Sequence, residues 1–486
     1  MTAADGKGSH EDRARSVIDL AESRGQGHVF RFYDELAPDQ QARLVAQVAG
    51  LDFDRLDQLI ASRASQAHGG PGSVEPAPLI TLPESDDDRA RADEARAAGE
   101  QMLREGRVAV LTVAGGQGTR LGFPKPKGLY PVGPITDRTL FELYAQKILA
   151  ASRRYGKPIL WMVLTSPATH AETVEYFERH DFLGVPRDDV RFLMQGTMPA
   201  IDADGKLLLA SRDSLALSPN GHGGSLLALR EEGGLDAMRE RGADCIYYFQ
   251  VDNPMVPVPD PVFLGYHRAA GAEMSTKVVP KTDPLEKVGV VCRADGKTCV
   301  IEYSDLDEER MHAREDDGKL LYRAGNIAVH ALDRAFVERL TEGGQFRLPY
   351  HFASKKVPHI DSDGNLVKPT EPNGTKFETF VFDALPEATK SVTQEVERAD
   401  EFAPVKNAEG SDSPATSRRA LIEQYGGWLE AAGVEVPRDA EGQVAGAVEI
   451  SPRFAADASE CAERIASMKD AVVFRDGLIL DEESIP

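Results

Sequence analysis

Apolar residues recur at helical spacing from about His28 to Ala64 and later give way to short, unbroken apolar runs. Leu36, Leu44, Val45 and Val48, then Phe53, Leu56, Leu59 and Ile60, predict two or three helices behind a polar, frayed N-terminus. "QAHGGPGSVEPAPLITLPESDDD" is rich in Gly, Pro and Ser and then acidic, which predicts an extended connection; a helix follows over about Arg89 to Glu105. Next, "VAVLTVA", "PILWMVLTS", "VRFLMQG" and "CIYYFQVDNP" read as strands, with "TLFELYAQKILAASRRYG" and "HAETVEYFERH" as helices between them. That alternation predicts an α/β fold with a mostly parallel, doubly wound sheet. Between Gly289 and Ile327 the Asp295-Gly296 pair has hairpin chemistry and predicts an antiparallel insertion or edge. From about Asp400 a loop and a helix lead to short strands that predict a small, separate C-terminal module. The expected division is therefore a helical region over 1–100, a central domain over 101–400 and a C-terminal connection with a small α/β module over 401–486.

Composition narrows the function classes. The 486 residues carry 56 Lys and Arg against 79 Asp and Glu, a formal charge of -23. Such a surface repels nucleic acid and anionic lipid, leaving room for a small anionic ligand where basic residues gather. The four cysteines, Cys245, Cys292, Cys299 and Cys461, show no CxxC spacing and suit reduced thiols in a cytoplasmic protein. No apolar run reaches the roughly 18–20 residues that span a bilayer, and "MTAADGKGSHEDRARS" lacks the apolar core of a signal peptide.

The chemistry concentrates in "LTVAGGQGTRLGFPKPKG", Leu111 to Gly128, which carries five glycines, Arg120, Lys125 and Lys127 at the end of an apolar strand. Glycines there let backbone N–H groups approach a ligand, and ligands of open α/β sheets sit at the carboxyl ends of strands. An arginine fork and a lysine within one loop point to a polyphosphate. A P-loop is excluded because neither lysine precedes Ser or Thr. A dinucleotide fingerprint requires a helix directly after the loop, where three prolines stand instead.

"AGGQGTRLGFPKPKG" resembles the signature G-G-x-G-T-R-L-G-x-x-x-P-K-G of the UDP-sugar pyrophosphorylase family, and most closely its UDP-N-acetylglucosamine branch. "FLMQGTMPAI", "SPNGHGGSLLAL", "VDNPMVPVPDPVFLGY", "YRAGNIAVH", "KPTEPNGTKFETFVFD" and "EFAPVKNAEGSDSPATSRRAL" resemble further segments of that family, in order. The resemblance spans roughly residues 25 to 455. It implies a Rossmann-like nucleotidyltransferase domain with a mixed, mostly parallel sheet, an N-terminal helical region and a small C-terminal β domain. The implied reaction joins UTP and a sugar 1-phosphate into UDP-sugar and pyrophosphate, in a monomer or weak homo-oligomer with no nucleic-acid or membrane partner.

By the same resemblance, Ala114, Gly115 and Gly116 cradle the nucleotide, and Arg120 and Lys127 face the phosphates. Gln195 and Gly221 read the uracil edge, Asp252 holds Mg²⁺ or Mn²⁺, and Lys376 and Lys406 clamp the triphosphate and the sugar phosphate. Gly289, Glu302 and Asn326 receive the sugar. These residue types suit in-line transfer to phosphorus, where the protein positions two anions and neutralises charge. Taken singly, each has an ordinary use: Asp252 before Asn253-Pro254 can start a turn, and Lys376 and Lys406 can be surface lysines.

One position departs from the branch. His222 stands in "GHGG" where the N-acetylglucosamine enzymes carry asparagine, which leaves a UDP-glucose or broad-specificity UDP-sugar pyrophosphorylase as the alternative. Two other classes make different demands. An NAD(P) oxidoreductase needs an acidic ribose partner at a strand end, and the nearest candidate, Glu142, falls inside a helical stretch. A non-catalytic nucleotide-sugar sensor is expected to have lost Arg120, Lys127, Asp252 or Lys406, and all four are present.

Overall fold

The computed structural model describes residues 5–63, 73–344, 346–468 and 471–484. Residues 1–4, in the stretch expected to be a polar, frayed start, and 64–72, which include the first part of the expected connection, lie outside them. Packing groups the chain into two compact units. The first comprises the described residues of Met1–Gly70 with Gly196–Gly224 and Leu348–Phe380; the second holds Pro71–Gln195, Ser225–Arg347 and Val381–Pro486.

This differs from the three consecutive parts expected, and the first unit shows why. Its helices Asp5–Ser23, Pro38–Ala49 and Phe53–Arg63 each bury one face: Ala14, Val17 and Ala21; Leu44, Val45 and Val48; Phe53, Leu56 and Leu59. Those faces close against Ile201, Leu207, Leu209, Leu215 and Phe377, which come from the middle of the chain. Buried Gln26 fastens the two stretches, its Nε2 donating to the Gly205 carbonyl at 3.0 Å while its Oε1 accepts from Leu207 N–H at 3.0 Å. The helical region is thus half of a core whose other half is supplied by two later segments.

The second unit is built on a ten-stranded sheet. Its strands are β1 (Val74–Pro76), β2 (Val108–Val113), β3 (Leu160–Thr165), β4 (Val190–Met194), β5 (Cys245–Gln250), β6 (Met274–Pro280), β7 (Val290–Ala294), β8 (Lys297–Ile301), β9 (Ala324–Asp333) and β10 (Ser391–Glu395). The order is β1-β7-β9-β5-β2-β3-β4, with β6 also pairing β9 and β10, and β8 pairing β7. The run β5-β2-β3-β4 is parallel and β9 pairs β5 antiparallel, so the sheet is mixed, as expected. β2, β3 and β5 are buried almost throughout, which is why they read as unbroken apolar runs rather than alternations.

The expected hairpin is β7–β8, with Asp295 (φ 49°) and Gly296 (φ 80°) supplying the two left-handed positions of its turn. The expected connection contributes β1 to the sheet edge. The C-terminal part has its own core around Leu421, Tyr425, Val448 and Ile450, yet it belongs to the second unit. Met255 enters that core. Glu449, 2 % exposed, accepts from the N–H groups of Ile135 at 2.8 Å and Thr136 at 2.9 Å and pairs with Arg138. It is also less of a β domain than expected: two three-residue parallel strands, Val448–Ile450 and Leu478–Leu480, beside the helices Pro414–Ala431 and Ala458–Ser467. All four cysteines are free thiols. Among the described residues no helix is long and apolar enough to cross a membrane.

Candidate active site

Four parallel strands of the second unit end together, and three of them lead into residues singled out from the sequence. Past β2, Ala114 N–H donates to Leu164 O at 2.8 Å, and the chain turns into Gly115-Gly116. β3 leads into Ser166, whose Oγ donates to Gly115 O at 2.7 Å. β4 leads into Gln195, held by its N–H to Thr165 O at 2.9 Å; β5 leads through Val251, whose N–H reaches Val113 O at 3.0 Å, into Asp252. This is the place where open α/β sheets bind ligands.

The two glycines differ in their surroundings. A Cβ on Gly115 would stand 2.7 Å from Gln195 Oε1, so the absent side chain lets the amide lie against the loop. A Cβ on Gly116 would meet nothing within 4 Å, and its backbone is not left-handed. Packing among the described residues gives no account of glycine at 116. Beyond them the loop folds into a small hairpin, Gln117–Gly118 against Phe123–Pro126, and Lys127 N–H returns to Gly116 O at 3.0 Å. Gly128 is then forced by packing, since a Cβ would lie 2.1 Å from Phe141. The next α-helix begins only at Leu140, and Glu142 sits in its capping box with Thr139, which removes the dinucleotide alternative.

Charges face one another in this corner. Lys127 Nζ lies 3.1 Å from Asp252 Oδ2, both side chains being mostly buried. Arg120 is exposed on the loop and makes no ion pair among the described residues. Val405 N–H donates to Asp252 O at 2.8 Å, which brings the following residue, Lys406, to the same edge. Lys406 is half-exposed, 3.8 Å from Asp412. The segment after Asp252 is pinned from behind: Lys147 Nζ donates to Pro254 O and Val256 O, both at 2.6 Å, and Tyr144 Oη donates to Asn253 O. Burial pushes the Lys147 ammonium down to about 7.

The expected sugar residues also meet. Asn326 N–H donates to Gly289 O at 2.8 Å, and Glu302 Oε1 lies 3.5 Å from where a Gly289 Cβ would be. Asn326 Oδ1 is committed within the protein, accepting from Ala328 N–H at 3.0 Å where Ala328 takes φ 55°. Of the asparagine amide, the Nδ2 end is therefore the one suited to a sugar hydroxyl.

Three singled-out residues belong to the first unit. Gly221 (φ 84°) has a structural cause of its own, because a Cβ would stand 2.3 Å from Thr379 O. The half-buried His222 ring stacks on Phe380, with centroids 5.2 Å apart, and burial together with His351 pushes its imidazole down to about 4. Lys376 lies on the strand Gly374–Glu378, opposite Ala353 of His351–Lys355.

A family model for UTP--glucose-1-phosphate uridylyltransferase matches residues 76–472. The chain belongs to this family.

Among its relatives, a human UDP-N-acetylhexosamine pyrophosphorylase-like protein 1 is 41% identical over 426 residues, 84% of each chain. The Saccharomyces cerevisiae UDP-N-acetylglucosamine pyrophosphorylase is 34% identical over 476 residues, 94% of this chain and 98% of that one. A solved structure of the Trypanosoma brucei uridine diphosphate N-acetylglucosamine pyrophosphorylase, in complex with an inhibitor, aligns with TM-score 0.78 at 28% identity, covering 95% of this chain and 98% of its own.

Within this member of the uridylyltransferase family, sequence reasoning missed the supporting residues. Ser166, Tyr144 and Lys147 hold backbone carbonyls of the loop or the Asp252 segment, and Asn253 ties that segment to the Glu401 carbonyl. Only "VDNP" carried a signal near one of them, and the reading there fell on Asp252 as metal ligand, with a turn as the ordinary alternative.

Proposed function

We propose that the enzyme transfers uridylyl from UTP to N-acetylglucosamine 1-phosphate. The observation that carries this reading is the convergence at one sheet end of Gly115-Gly116, Gln195 and the Lys127–Asp252 pair, with Lys406 fastened beside Asp252. The sugar-phosphate oxygen attacks the α-phosphorus of UTP, the new P–O bond forms, and the bond to the β-phosphate oxygen breaks as pyrophosphate leaves. Gly116 lets the triphosphate lie against bare backbone. Arg120 and Lys127 offset the charge on the leaving pyrophosphate, and Lys406 holds the incoming phosphate in line. Gln195 presents an amide that donates to a uracil carbonyl and accepts from N3–H. Gly221 and Lys376 are assigned to the nucleotide, and His222 to the sugar side, on the resemblance alone.

Mg²⁺ or Mn²⁺ is part of the proposal. Among the described residues no three His, Cys, Asp or Glu side chains gather to hold a metal. A single mostly buried carboxylate beside a phosphate site fits a hard cation that takes one or two carboxylates and completes its shell from phosphate and water. Asp252 would hold it, and the ion would supply charge neutralisation at the phosphates.

The decisive experiment measures pyrophosphate release from UTP with a panel of sugar 1-phosphates. N-Acetylglucosamine 1-phosphate is expected to lead, with glucose 1-phosphate second and ATP a poor donor. A glucose 1-phosphate rate above the N-acetylglucosamine rate assigns the UDP-glucose alternative instead, which His222 favours.

A further inference from the structure

Asn253 stands between Asp252 and Pro254, a context in which asparagine ordinarily shapes a turn. Its side chain does something else. The residue is 3 % exposed; its Nδ2 donates to the Glu401 carbonyl at 2.7 Å, and its Oδ1 accepts from Ala403 N–H at 3.1 Å. Among side chains, only the amides of Asn and Gln carry a neutral donor and a neutral acceptor so placed, so the group stands in for a peptide unit in a short ladder. The next rung is backbone, Val405 N–H to Asp252 O at 2.8 Å. Three bonds thus stitch 401–405 to 252–253, and Lys406 emerges at the stitched end.

Both sides of this ladder are anchored, the 401 side by the Glu401 carboxylate, which accepts from buried Lys277 Nζ at 2.8 and 2.6 Å. The 252–256 side is anchored by β5 and by Tyr144 and Lys147 on its backbone carbonyls. Beyond the ladder Lys406 is half-exposed, its N–H donating to Asp412 O at 2.7 Å and its ammonium lying 3.8 Å from the Asp412 carboxylate and 5.2 Å from the Phe402 ring centroid. The stitch is what links this local arrangement to Asp252.

We propose that Asn253 is a positioning residue for the transfer, its amide setting the register of Lys406 against Asp252. The proposal rests on reading Asp252 and Lys406 as ligand-facing groups. Asn253 touches no substrate and acts through Lys406.

The test is a double-mutant cycle on the full-length enzyme, reading kcat for pyrophosphate release at saturating UTP, sugar phosphate and Mg²⁺. Asn253→Ala and Lys406→Ala are compared with the double variant, and the cycle is repeated with Asn253→Asp, which keeps the volume and the acceptor and removes the donor. Each Asn253 variant is expected to lower kcat about tenfold or more, yet to cost less than about threefold once Lys406 is alanine, because residues acting through one another do not add. The same fold-loss in both backgrounds overturns the proposal, as does wild-type kcat in a folded Asn253→Asp enzyme. If Asn253→Ala fails to fold, the Asn253→Asp cycle decides. Wild-type turnover in Lys406→Ala alone removes the underlying assignment, and that failure is visible before any cycle is drawn.

Discussion

The proposed phosphate end and the proposed sugar edge of the second unit grow from one sheet and are held by different means. At the ends of β2 to β5, Ala114, Gln195 and Val251 continue parallel ladders through their own backbone bonds, and Asp252 is tied by its carbonyl. At the edge, Gly289 and Glu302 flank the β7–β8 hairpin, and Asn326 sits where β9 bends at Ala328. The first construction suits charge. A cation or carboxylate misplaced by a fraction of an ångström forfeits transition-state stabilisation directly. The second suits neutral hydroxyl recognition, where one hydrogen bond changes selectivity by about 0.5–1.5 kcal/mol. Substitutions should therefore cost orders of magnitude at the phosphate end and small factors at the sugar edge.

The largest effect is expected at Asp252. Asp252→Ala leaves Lys127 without its partner and removes the proposed metal carboxylate. Turnover should fall by roughly 10²-fold or more, the scale of losing a transition-state electrostatic contact. Wild-type enzyme in excess EDTA should be inactive and recover on adding Mg²⁺. Full turnover in EDTA would refute the role.

A pair of glycine substitutions separates ligand space from packing. Gly116→Ala points into open space, so its melting temperature should match wild type while the KM for UTP rises roughly tenfold. Gly128→Ala drives a methyl into Phe141 and should lower stability by about 1–3 kcal/mol through overpacking. Thermal melts with and without UTP distinguish the two; a destabilised Gly116→Ala would mean that the loop packs differently from this description.

These sites differ in how legible they were. The strands and the Gly-rich loop stood out because central parallel strands are buried on both faces and read as plain apolar runs. The hairpin stood out because Asp-Gly has few other uses. The helix Asp5–Ser23 did not, because its buried stripe is partly Ala14 and Ala21, a weak apolar signal in a polar stretch. Asn253 and Glu449 were invisible for another reason. Their partners lie about 150 and 310 residues away, and nothing local distinguishes a buried amide or carboxylate from a solvated one. The charged residues proposed to face ligand were read from the family pattern; the buried groups that pin their segments required the fold.

At the sugar edge, Glu302→Gln keeps the shape and removes the charge. It should lower kcat/KM for sugar 1-phosphates by about tenfold or less, with the KM for UTP little changed. A loss as large as that of Asp252→Ala would erase the contrast between the two regions.

The smallest and most selective effect is expected at His222. Its imidazole stacks on Phe380 and is pushed down to about 4 by burial and by His351, so it is neutral at pH 7 and offers one donor and one acceptor. If it faces the sugar, His222→Asn should shift the ratio of rates between N-acetylglucosamine 1-phosphate and glucose 1-phosphate roughly 2- to 10-fold, leaving UTP affinity nearly alone. The pH dependence gives a second readout. In the unfolded chain this histidine takes its proton near 6.5, and in the folded one only near 4. The folded protein therefore binds fewer protons between those values, and stability declines as pH falls from about 6.5 toward 4. Asparagine removes that contribution, so the variant should lose less stability than wild type between pH 7.5 and pH 5, by an amount on the order of 1–2 kcal/mol. Competition of the two sugar phosphates at fixed UTP reads the first effect, and thermal melts at the two pH values read the second. An unchanged product ratio with the altered pH slope would place His222 in the packing of the first unit and outside sugar selection.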